Sequence, residues 1–186
     1  SAGVIMSVNN SLVCQIFVDW CSDEQKEKYL TRLASGEWLG AFSLSEPQSG
    51  SDASNMRTRV ERNGDFYVLN GTKNWVTNGI SSDIVIVFAV TKKDVGHKGI
   101  SAFIVEKNTP GFSTGKKEDK LGIRGSDTCE LYFENCKIPV ENRIHRDGEG
   151  FNIAMKTLNG GRIGIATQAL GIARASLEKS IAYSKE

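Results

Sequence analysis

A polar loop and a tryptophan-bearing segment contain the residues of this 186-residue chain that are best suited to chemistry. The loop follows an apolar run and reads Phe42-Ser43-Leu44-Ser45-Glu46-Pro47-Gln48-Ser49-Gly50-Ser51-Asp52, and the second segment reads Trp75-Val76-Thr77-Asn78. Backbone N–H groups and hydroxyls can hydrogen-bond the carbonyls and ring nitrogens of a planar heterocycle, and an indole offers a flat surface beside it. An Asx or Ser turn at a strand end explains the loop equally well when the loop is taken alone.

Alternating apolar and polar residues place both segments in a β region that extends from residue 38 to about residue 140. The Asn63-Gly64 pair predicts a type I′ turn, and therefore a hairpin between residues 60–62 and residues 65–67. The runs 84–90 and 100–105 are nearly all apolar or β-branched, so we expect central strands buried on both faces. The connections are too short for βαβ crossovers, which favours an antiparallel β-barrel or sandwich.

Helical patterns flank this β region, so the predicted fold class is α+β. Apolar residues recur every four positions between residues 3 and 20, and Ser22 with Gln25 forms a predicted capping box for a second helix that Gly36 ends. After Gly150 a third helix places Ala166, Leu170, Ala173 and Leu177 on one face. Gly160, Gly161 and Gly164 at its start suggest close approach of backbone or ligand, with helix packing as the commoner reason. We expect three parts: residues 1–37 end an N-terminal helical domain, residues 38–148 form a middle β domain, and residues 149–186 begin a C-terminal helical domain, both helical domains being truncated.

Composition excludes several classes of function. A net charge of +1 with interspersed signs argues against a nucleic-acid surface, and we expect no membrane partner because no apolar run approaches the roughly 20 residues of a span. His97 and His145 are the two histidines, which makes a Ser-His-Asp hydrolase hard to build. Cys14 and Cys21, like Cys129 and Cys136, have six residues between them, a spacing unlike that of common zinc sites, so we expect no metal and four free thiols. On a regular strand the second pair would point to opposite faces.

These motifs together resemble the acyl-CoA dehydrogenase family. The loop is similar to the family's first signature, Leu44-Ser45-Glu46-Pro47-x-x-Gly50-Ser51-Asp52, and residues 75–78 are similar to its second flavin-contacting segment. The resemblance continues through residues 120–128, 133–139, 150–155 and 161–173, and so covers essentially the whole chain. The last of these segments looks most like the short-chain, butyryl-CoA branch.

The resemblance implies an FAD site and part of an acyl-CoA site. The implied cofactor-binding residues are Phe42, Leu44, Ser45, Ser51, Trp75, Val76 and Thr77, with Trp75 over one flavin face and Thr77 near N5 and O4. The implied substrate-binding residues are Ser51, Asn159 and Arg162, with Asn159 standing where the family usually carries an acid. The family's catalytic base is a Glu of the C-terminal domain, so no catalytic residue is assigned here and Glu46 is interpreted as structural. For Arg124, with Ser126 and Thr128, we favour a buried ion pair or a strand-end network.

The implied activity is the flavin-dependent α,β-dehydrogenation of short-chain acyl-CoA thioesters to trans-2-enoyl-CoA. The implied partners are an electron-transferring flavoprotein and further copies of the chain in a homotetramer. The implied location is the cytoplasm of a bacterium or the mitochondrial matrix of a eukaryote. Two alternatives remain open from the sequence: an acyl-CoA oxidase, and a non-catalytic β-barrel interaction module that has lost the flavin.

Overall fold

A mixed β-sheet lies between two helical parts of the chain. The structure is a computed structural model that describes residues 2–186. Its helices are α1 (Ala2–Ser7), α2 (Gln15–Trp20), α3 (Asp23–Gln25), α4 (Thr31–Ser35) and α5 (Gly150–Tyr183), with π-helical segments at Val8–Cys14 and Lys26–Leu30. Its strands are β1 (Gly40–Ser43), β2 (Arg59–Asn63), β3 (Phe66–Thr77), β4 (Ile84–Val90), β5 (Ile100–Glu106), β6 (Phe112–Thr114), β7 (Thr128–Pro139) and β8 (Arg143–Ile144). Short 3₁₀ turns lie at Ala53–Asn55, Gly96–Gly99 and Val140–Asn142.

The eight strands form one sheet in the order β6-β7-β3-β2-β4-β5-β8, with β1 paired to β4 outside this path. The α+β class predicted from the sequence is confirmed. Most neighbours are antiparallel, but β1 runs parallel to β4 from the Gly40–Ile84 pair onwards, and β2 meets β4 in parallel at Arg59 and Val90. The β2–β3 hairpin makes the return connection between β1 and β4 that a helix makes in a βαβ unit. Local patterns along the chain carry no signal for such pairings.

Both faces of the central strands are buried, as the apolar runs predicted. On β4, Ile84, Ile86 and Phe88 face a core shared with the helices. The alternating residues Val85, Val87 and Ala89 face a second core, which also contains Leu69 of β3 and Leu131 of β7. Because opposite halves of the same sheet enclose this second core, the sheet folds over on itself as a sandwich does.

The β2–β3 hairpin forms as predicted, but its turn is one residue further along the chain. Asn63 pairs with Phe66, so the two loop residues are Gly64 and Asp65 rather than Asn63 and Gly64. Gly64 has φ of +61°, whereas Asn63 and Asp65 do not have positive φ. A positive φ at the first loop position alone is the pattern of a type II′ turn, not of type I′.

Two cysteines of β7 share one face, contrary to the prediction from regular alternation. Cys129 and Cys136 are both buried in the second core. The neighbouring residues Glu134 and Asn135 are both exposed, and Asn135 has φ of +50°. The pairing with β3 shifts at this point, so a bulge adds one residue to the strand and returns Cys136 to the inner face.

The N-terminal helices pack on the first core. Ser22 and Gln25 form the predicted capping box, and Gly36 ends α4 with φ of +79°, also as predicted. The prediction that no apolar run approaches the length of a membrane span is wrong for Ala2–Trp20, which meets a length-and-composition criterion with a mean hydropathy of 1.3 over an 18-residue window. Within this stretch Val13, Ile16 and Phe17 are buried in the first core, whereas Met6 and Val18 are exposed.

Helix α5 crosses these N-terminal helices at its glycines. A Cβ added to Gly161 would lie 2.8 Å from Cδ2 of Leu12, and one added to Gly164 would lie 3.3 Å from Oγ of Ser7. Of the two reasons expected for these glycines, the structure therefore supports helix packing. The predicted face with Leu170 and Leu177 is exposed in the described residues, because only the first turns of α5 pack on the sheet.

Candidate flavin and acyl-CoA site

The 42–52 loop begins where β1 ends and is closed by its own hydrogen bonds. The backbone N–H groups of Glu46 and Ser49 each donate to the other's carbonyl, at 2.8 and 3.1 Å. The Ser49 hydroxyl donates to the carbonyl of Asp52 at 2.8 Å, and the Asp52 carboxylate accepts from the N–H of Ser54. This Pro- and Gly-containing segment therefore has one defined backbone shape before any ligand binds.

A buried lysine of β3 forms hydrogen bonds with the inner side of this loop. Lys73 is fully buried, and its ammonium donates to the carbonyl of Leu44 at 3.0 Å and to Oε1 of Glu46 at 2.8 Å. The Glu46 carboxylate also accepts from the backbone N–H groups of Arg57 and Thr58, and from Nε2 of Gln48. Both members of the ion pair are thus hydrogen-bonded, as buried charges must be.

The surroundings shift the pKa values of both groups downwards. Burial lowers the pKa of Lys73 to about 8, against the opposing effect of Glu46. Burial alone would raise the pKa of Glu46, but the charge of Lys73 and the hydrogen bonds from Lys73, Arg57 and Thr58 outweigh it and hold that pKa below its usual value. Glu46 is therefore ionised at neutral pH and accepts hydrogen bonds, which agrees with its interpretation as structural.

Immediately after Lys73, strand β3 bulges and turns a tryptophan outwards. Lys73 pairs with Leu131 and Val76 pairs with Cys129, so Asn74 and Trp75 together lie opposite a single residue of β7. Trp75 has φ of +58° and 65% of its surface is exposed. The N–H of Asn74 donates to the carbonyl of Ser45 at 2.8 Å and so ties this Trp75 bulge, residues 74–75, to the 42–52 loop. A bulky residue at positive φ is strained, and such strain concentrates at functional sites.

The predicted cofactor residues differ in what they can offer a ligand. Leu44 and Val76 are buried residues, and the carbonyl of Val76 already accepts from the N–H of Gly79. Phe42 is half-buried, with its ring 5.1 Å from that of Phe88. Ser45 and Thr77 are half-buried, and their hydroxyls make no hydrogen bond within residues 2–186. The loop and the bulge therefore bring together an exposed indole and two hydroxyl groups that are not used by the fold.

The end of β3 is fixed by a second group of polar contacts. The side chain of Asn78, which has φ of +65° and is buried, donates to the carbonyls of Ile5 and Gly40. Its N–H donates to the carbonyl of Asp127, and the Asp127 carboxylate accepts from the N–H groups of Ile80 and Ser81. These contacts hold the backbone that follows Thr77.

The predicted substrate residues lie on two separate elements. Ser51 is exposed in the 42–52 loop, whereas Asn159 and Arg162 are exposed on α5, where Nη1 of Arg162 donates to Oδ1 of Asn159 at 2.7 Å. This contact leaves other guanidinium donors of Arg162 free for a ligand.

Of the two interpretations of Arg124, a buried ion pair or a strand-end network, the buried ion pair is wrong. Its guanidinium is exposed, 3.9 Å from Asp119, and donates to the carbonyl of Lys120. The contacts expected of it are made by Lys120, whose ammonium donates to the carbonyl of Ser126 and the hydroxyl of Thr128. Among residues 2–186 no group of three or more His, Cys, Asp or Glu residues could hold a metal ion.

Sequence reasoning missed Lys73. A signal was available. Tyr67, Leu69 and Lys73 are separated by even numbers of residues along one strand and so lie on the same face, and the first two are apolar and buried. A lysine on that buried face needs a counter-charge, and Glu46 is the carboxylate that directly follows the apolar residues 42–44 at the start of the loop.

Comparison with known proteins assigns the family of this chain. Residues 41–136 match the model of the acyl-CoA dehydrogenase middle domain, residues 148–186 the C-terminal domain and residues 1–37 the N-terminal domain. The chain belongs to the acyl-CoA dehydrogenase family. An acyl-CoA dehydrogenase of Bacillus subtilis is 54% identical over 186 residues, which cover 100% of this chain and 49% of that protein. The human mitochondrial short-chain specific acyl-CoA dehydrogenase is 51% identical over 100% of this chain and 45% of its own length.

Solved structures agree with this assignment. The butyryl-CoA dehydrogenase of Megasphaera elsdenii is 50% identical, with a TM-score of 0.97 over 100% of this chain and 49% of that one. A chain from the structural work on the electron transferring flavoprotein of Acidaminococcus fermentans is 51% identical, also with a TM-score of 0.97, over 98% of this chain and 48% of that one. The chain thus spans about half the length of the relatives it matches.

The residues of the 42–52 loop and the Trp75 bulge fit the cofactor of this family, which is FAD. A glutaryl-CoA dehydrogenase from Mycobacterium smegmatis, 40% identical with a TM-score of 0.89 over 97% of this chain and 45% of that one, has been solved in complex with FADH2. An isoalloxazine ring presents carbonyl and ring-nitrogen acceptors around a flat apolar body. The unused hydroxyls of Ser45 and Thr77 and the exposed face of Trp75 supply the matching groups.

Proposed function

We propose that the full-length protein containing this chain is an FAD-dependent dehydrogenase that converts short-chain acyl-CoA thioesters to trans-2-enoyl-CoA. The observation that carries this proposal is the strained, exposed Trp75 beside two unused hydroxyls, in a chain about half identical to short-chain dehydrogenases. Bound FAD supplies the acceptor for the hydride that leaves the β-carbon of the acyl chain. The residues described here bind and orient that cofactor and part of the substrate.

In this proposal each site residue has a separate task. Trp75 covers one face of the flavin, backbone groups of Phe42 and Leu44 line it, and Val76 belongs to the strand segment that carries Trp75 and Thr77. Ser45 and Thr77 donate hydrogen bonds to flavin acceptors, with Thr77 placed near N5 and O4. A preorganised donor aimed at developing negative charge contributes about 3 to 4 kcal/mol to catalysis in a well-placed case.

Ser51, Asn159 and Arg162 bind the coenzyme A part of the substrate, and Ser51 also lies at the edge of the flavin site. Arg162 provides a charge-assisted contact for a phosphate or for the adenine end, and Asn159 holds its guanidinium from the side. Removal of the α-proton requires a carboxylate, and none of the residues placed at this site has that role.

The proposal extends to organisation and partners. Residues 1–37, 38–148 and 149–186 form the end of an N-terminal helical domain, a middle β domain and the start of a C-terminal helical domain. The intact enzyme is a homotetramer that passes electrons to an electron-transferring flavoprotein. It works in the cytoplasm of a bacterium or in the mitochondrial matrix of a eukaryote, and the mammalian relatives are named as mitochondrial.

Anaerobic titration of the purified full-length protein tests this function. We expect a yellow protein whose flavin absorbance is bleached by butyryl-CoA, with crotonyl-CoA as the product. A colourless protein that ignores added FAD would support the non-catalytic interaction module instead. Rapid peroxide formation in air during turnover would identify an acyl-CoA oxidase.

A further inference from the structure

We infer that the buried Lys73–Glu46 ion pair is a positioning device that fixes the 42–52 loop against the Trp75 bulge and thereby sets the flavin's hydrogen bonds. The inference rests on the proposed function, because it concerns the same flavin site. Lys73 and Glu46 are positioning residues, since neither is placed in contact with the flavin or the substrate.

The ammonium of Lys73 reaches both segments from one point. It belongs to the strand that carries Asn74 and Trp75, and it donates to the carbonyl of Leu44 at 3.0 Å and to Glu46 at 2.8 Å. One residue further on, the N–H of Asn74 donates to the carbonyl of Ser45 at 2.8 Å. The loop and the strand are therefore joined by contacts from two consecutive residues, Lys73 and Asn74, which immediately precede Trp75.

The contact with Leu44 has a direct effect on a donor of the site. The carbonyl of Leu44 and the N–H of Ser45 belong to the same peptide unit, and in a planar trans peptide these two groups point in opposite directions. When Lys73 captures the carbonyl, the N–H of Ser45 must point away from the ammonium and thus away from the buried side of the loop. Lys73 consequently aims a backbone donor as well as holding the chain.

Stability alone does not explain this arrangement. A buried ion pair is often no more stabilising than an apolar pair of the same size, because both charges lose their hydration. The pair here is enclosed, and its two members lie on the two segments that must be aligned, Glu46 in the 42–52 loop and Lys73 on β3 directly before the Trp75 bulge. A fixed polar contact defines one orientation of the loop, which an apolar contact does not.

The decisive variant is Lys73→Met combined with Glu46→Gln in the full-length holoenzyme. It removes both charges at similar side-chain size, leaves no unpaired buried charge, and keeps an acceptor for the N–H of Thr58. The same two substitutions in the Lys28–Glu106 pair, Lys28→Met with Glu106→Gln, form a matched control. That pair has an N–O distance of 2.9 Å and is half-exposed, between the Lys26–Leu30 segment and β5.

Three measurements are made on the parent and on both variants: the melting temperature, the absorption spectrum of bound FAD, and the anaerobic rate of flavin reduction by butyryl-CoA. We expect the Lys73→Met/Glu46→Gln protein, called the Lys73 variant, to fold with FAD bound and to show a shifted flavin spectrum. Its flavin should be reduced about 10- to 100-fold more slowly, the effect of a small misplacement in a catalytic site. The Lys28 variant should match the parent in spectrum and rate.

Reduction of the Lys73 variant at the parent's rate overturns the inference whatever its spectrum, as does an equal slowing in the Lys28 variant. If the Lys73 variant does not fold, the single substitution Glu46→Gln decides, because it keeps the side-chain shape and removes the counter-charge of Lys73. Slower reduction with a shifted spectrum then supports the inference, and parental values refute it. If butyryl-CoA does not reduce the flavin of the parent enzyme, the proposed function is refuted. If it reduces the parent and both variants at the same rate, only the inference about Lys73 and Glu46 is refuted.

Discussion

Three glycines of α5 differ in their surroundings, and alanine substitution at each should give a different result. A Cβ at Gly150 would lie 2.6 Å from the carbonyl carbon and 2.7 Å from Cα of Ser101, both backbone atoms of β5. A Cβ at Gly161 would lie 2.8 Å from Cδ2 of Leu12, the end of a flexible side chain. A Cβ at Gly160 would meet nothing within 4 Å among residues 2–186 beyond its chain neighbours and the nearby backbone of α5.

The expected free energies of unfolding follow from these contacts. Gly160→Ala should stabilise by roughly 0.5 to 1 kcal/mol, because alanine loses less backbone entropy in a helix. Gly161→Ala has the same helical gain, offset by a rotation of Leu12, so its net change should be near zero. Gly150→Ala forces two backbones apart and should destabilise by about 1 to 3 kcal/mol, as overpacking of a core does.

Thermal unfolding of the full-length holoenzyme, followed by circular dichroism, measures the three variants against the parent. The expected order of melting temperatures is Gly160→Ala highest, Gly161→Ala near the parent and Gly150→Ala lowest. Gly150→Ala should also weaken acyl-CoA binding, because α5 carries Asn159 and Arg162. A Gly150→Ala protein that melts at or above the parent's temperature would show that the close approach of α5 to β5 does not constrain the fold.

Three other substitutions test the site and the core. Thr77→Val should bind FAD but slow its reduction by butyryl-CoA by about 100- to 1,000-fold in anaerobic stopped flow, as expected for the loss of one preorganised donor. An unchanged rate would remove the role proposed for Thr77. Arg162→Ala should raise KM for acyl-CoA more than it lowers kcat, because about 1 to 3 kcal/mol of binding free energy is lost. A constant KM with a collapsed melting temperature would mean a structural role for Arg162. Burial raises the pKa of Cys136 from 9.0 to about 12. The native state therefore keeps a proton that the unfolded chain releases, and Cys136 alone should lower stability above about pH 9 by up to about 1.4 kcal/mol per pH unit. Cys136→Ala should remove this share of the slope in a urea-unfolding series, while the share of the other buried thiols, Cys21 and Cys129, stays. An unchanged slope would contradict the cause.

Residue patterns predicted those parts of the fold that depend on local chemistry. The apolar runs identified β4 and β5, and the capping box of Ser22 and Gln25 identified the start of α3. The family motifs identified the loop and the strand end that the structure brings together. Each of these features is encoded within a few consecutive residues.

The features that were missed depend on pairing between distant segments. The hairpin turn moved by one residue because the Asn63–Phe66 pair sets the register. The parallel contacts of β4 join segments more than 30 residues apart along the chain. The exchange of partners between Arg124 and Lys120 follows from the course of an irregular loop, which has no period to read.

The most informative of these failures is on β3 itself. Regular alternation would place Lys73 and Trp75 on the same side of the strand, so that a buried Lys73 would imply a buried Trp75. The extra residue of the bulge, with φ of +58° at Trp75, turns the indole outwards and returns Val76 to the core. One strand can thus provide a buried anchor and an exposed ring two residues apart. The strain of the positive φ is sustained because the contacts of Lys73 and Asn74 on one side, and of Asn78 on the other, fix the backbone at both ends of the bulge. The same contacts that hold the strained residue also hold the loop it faces, which is why a change to the Lys73–Glu46 pair should be detected first in the flavin and only secondarily in the stability of the fold.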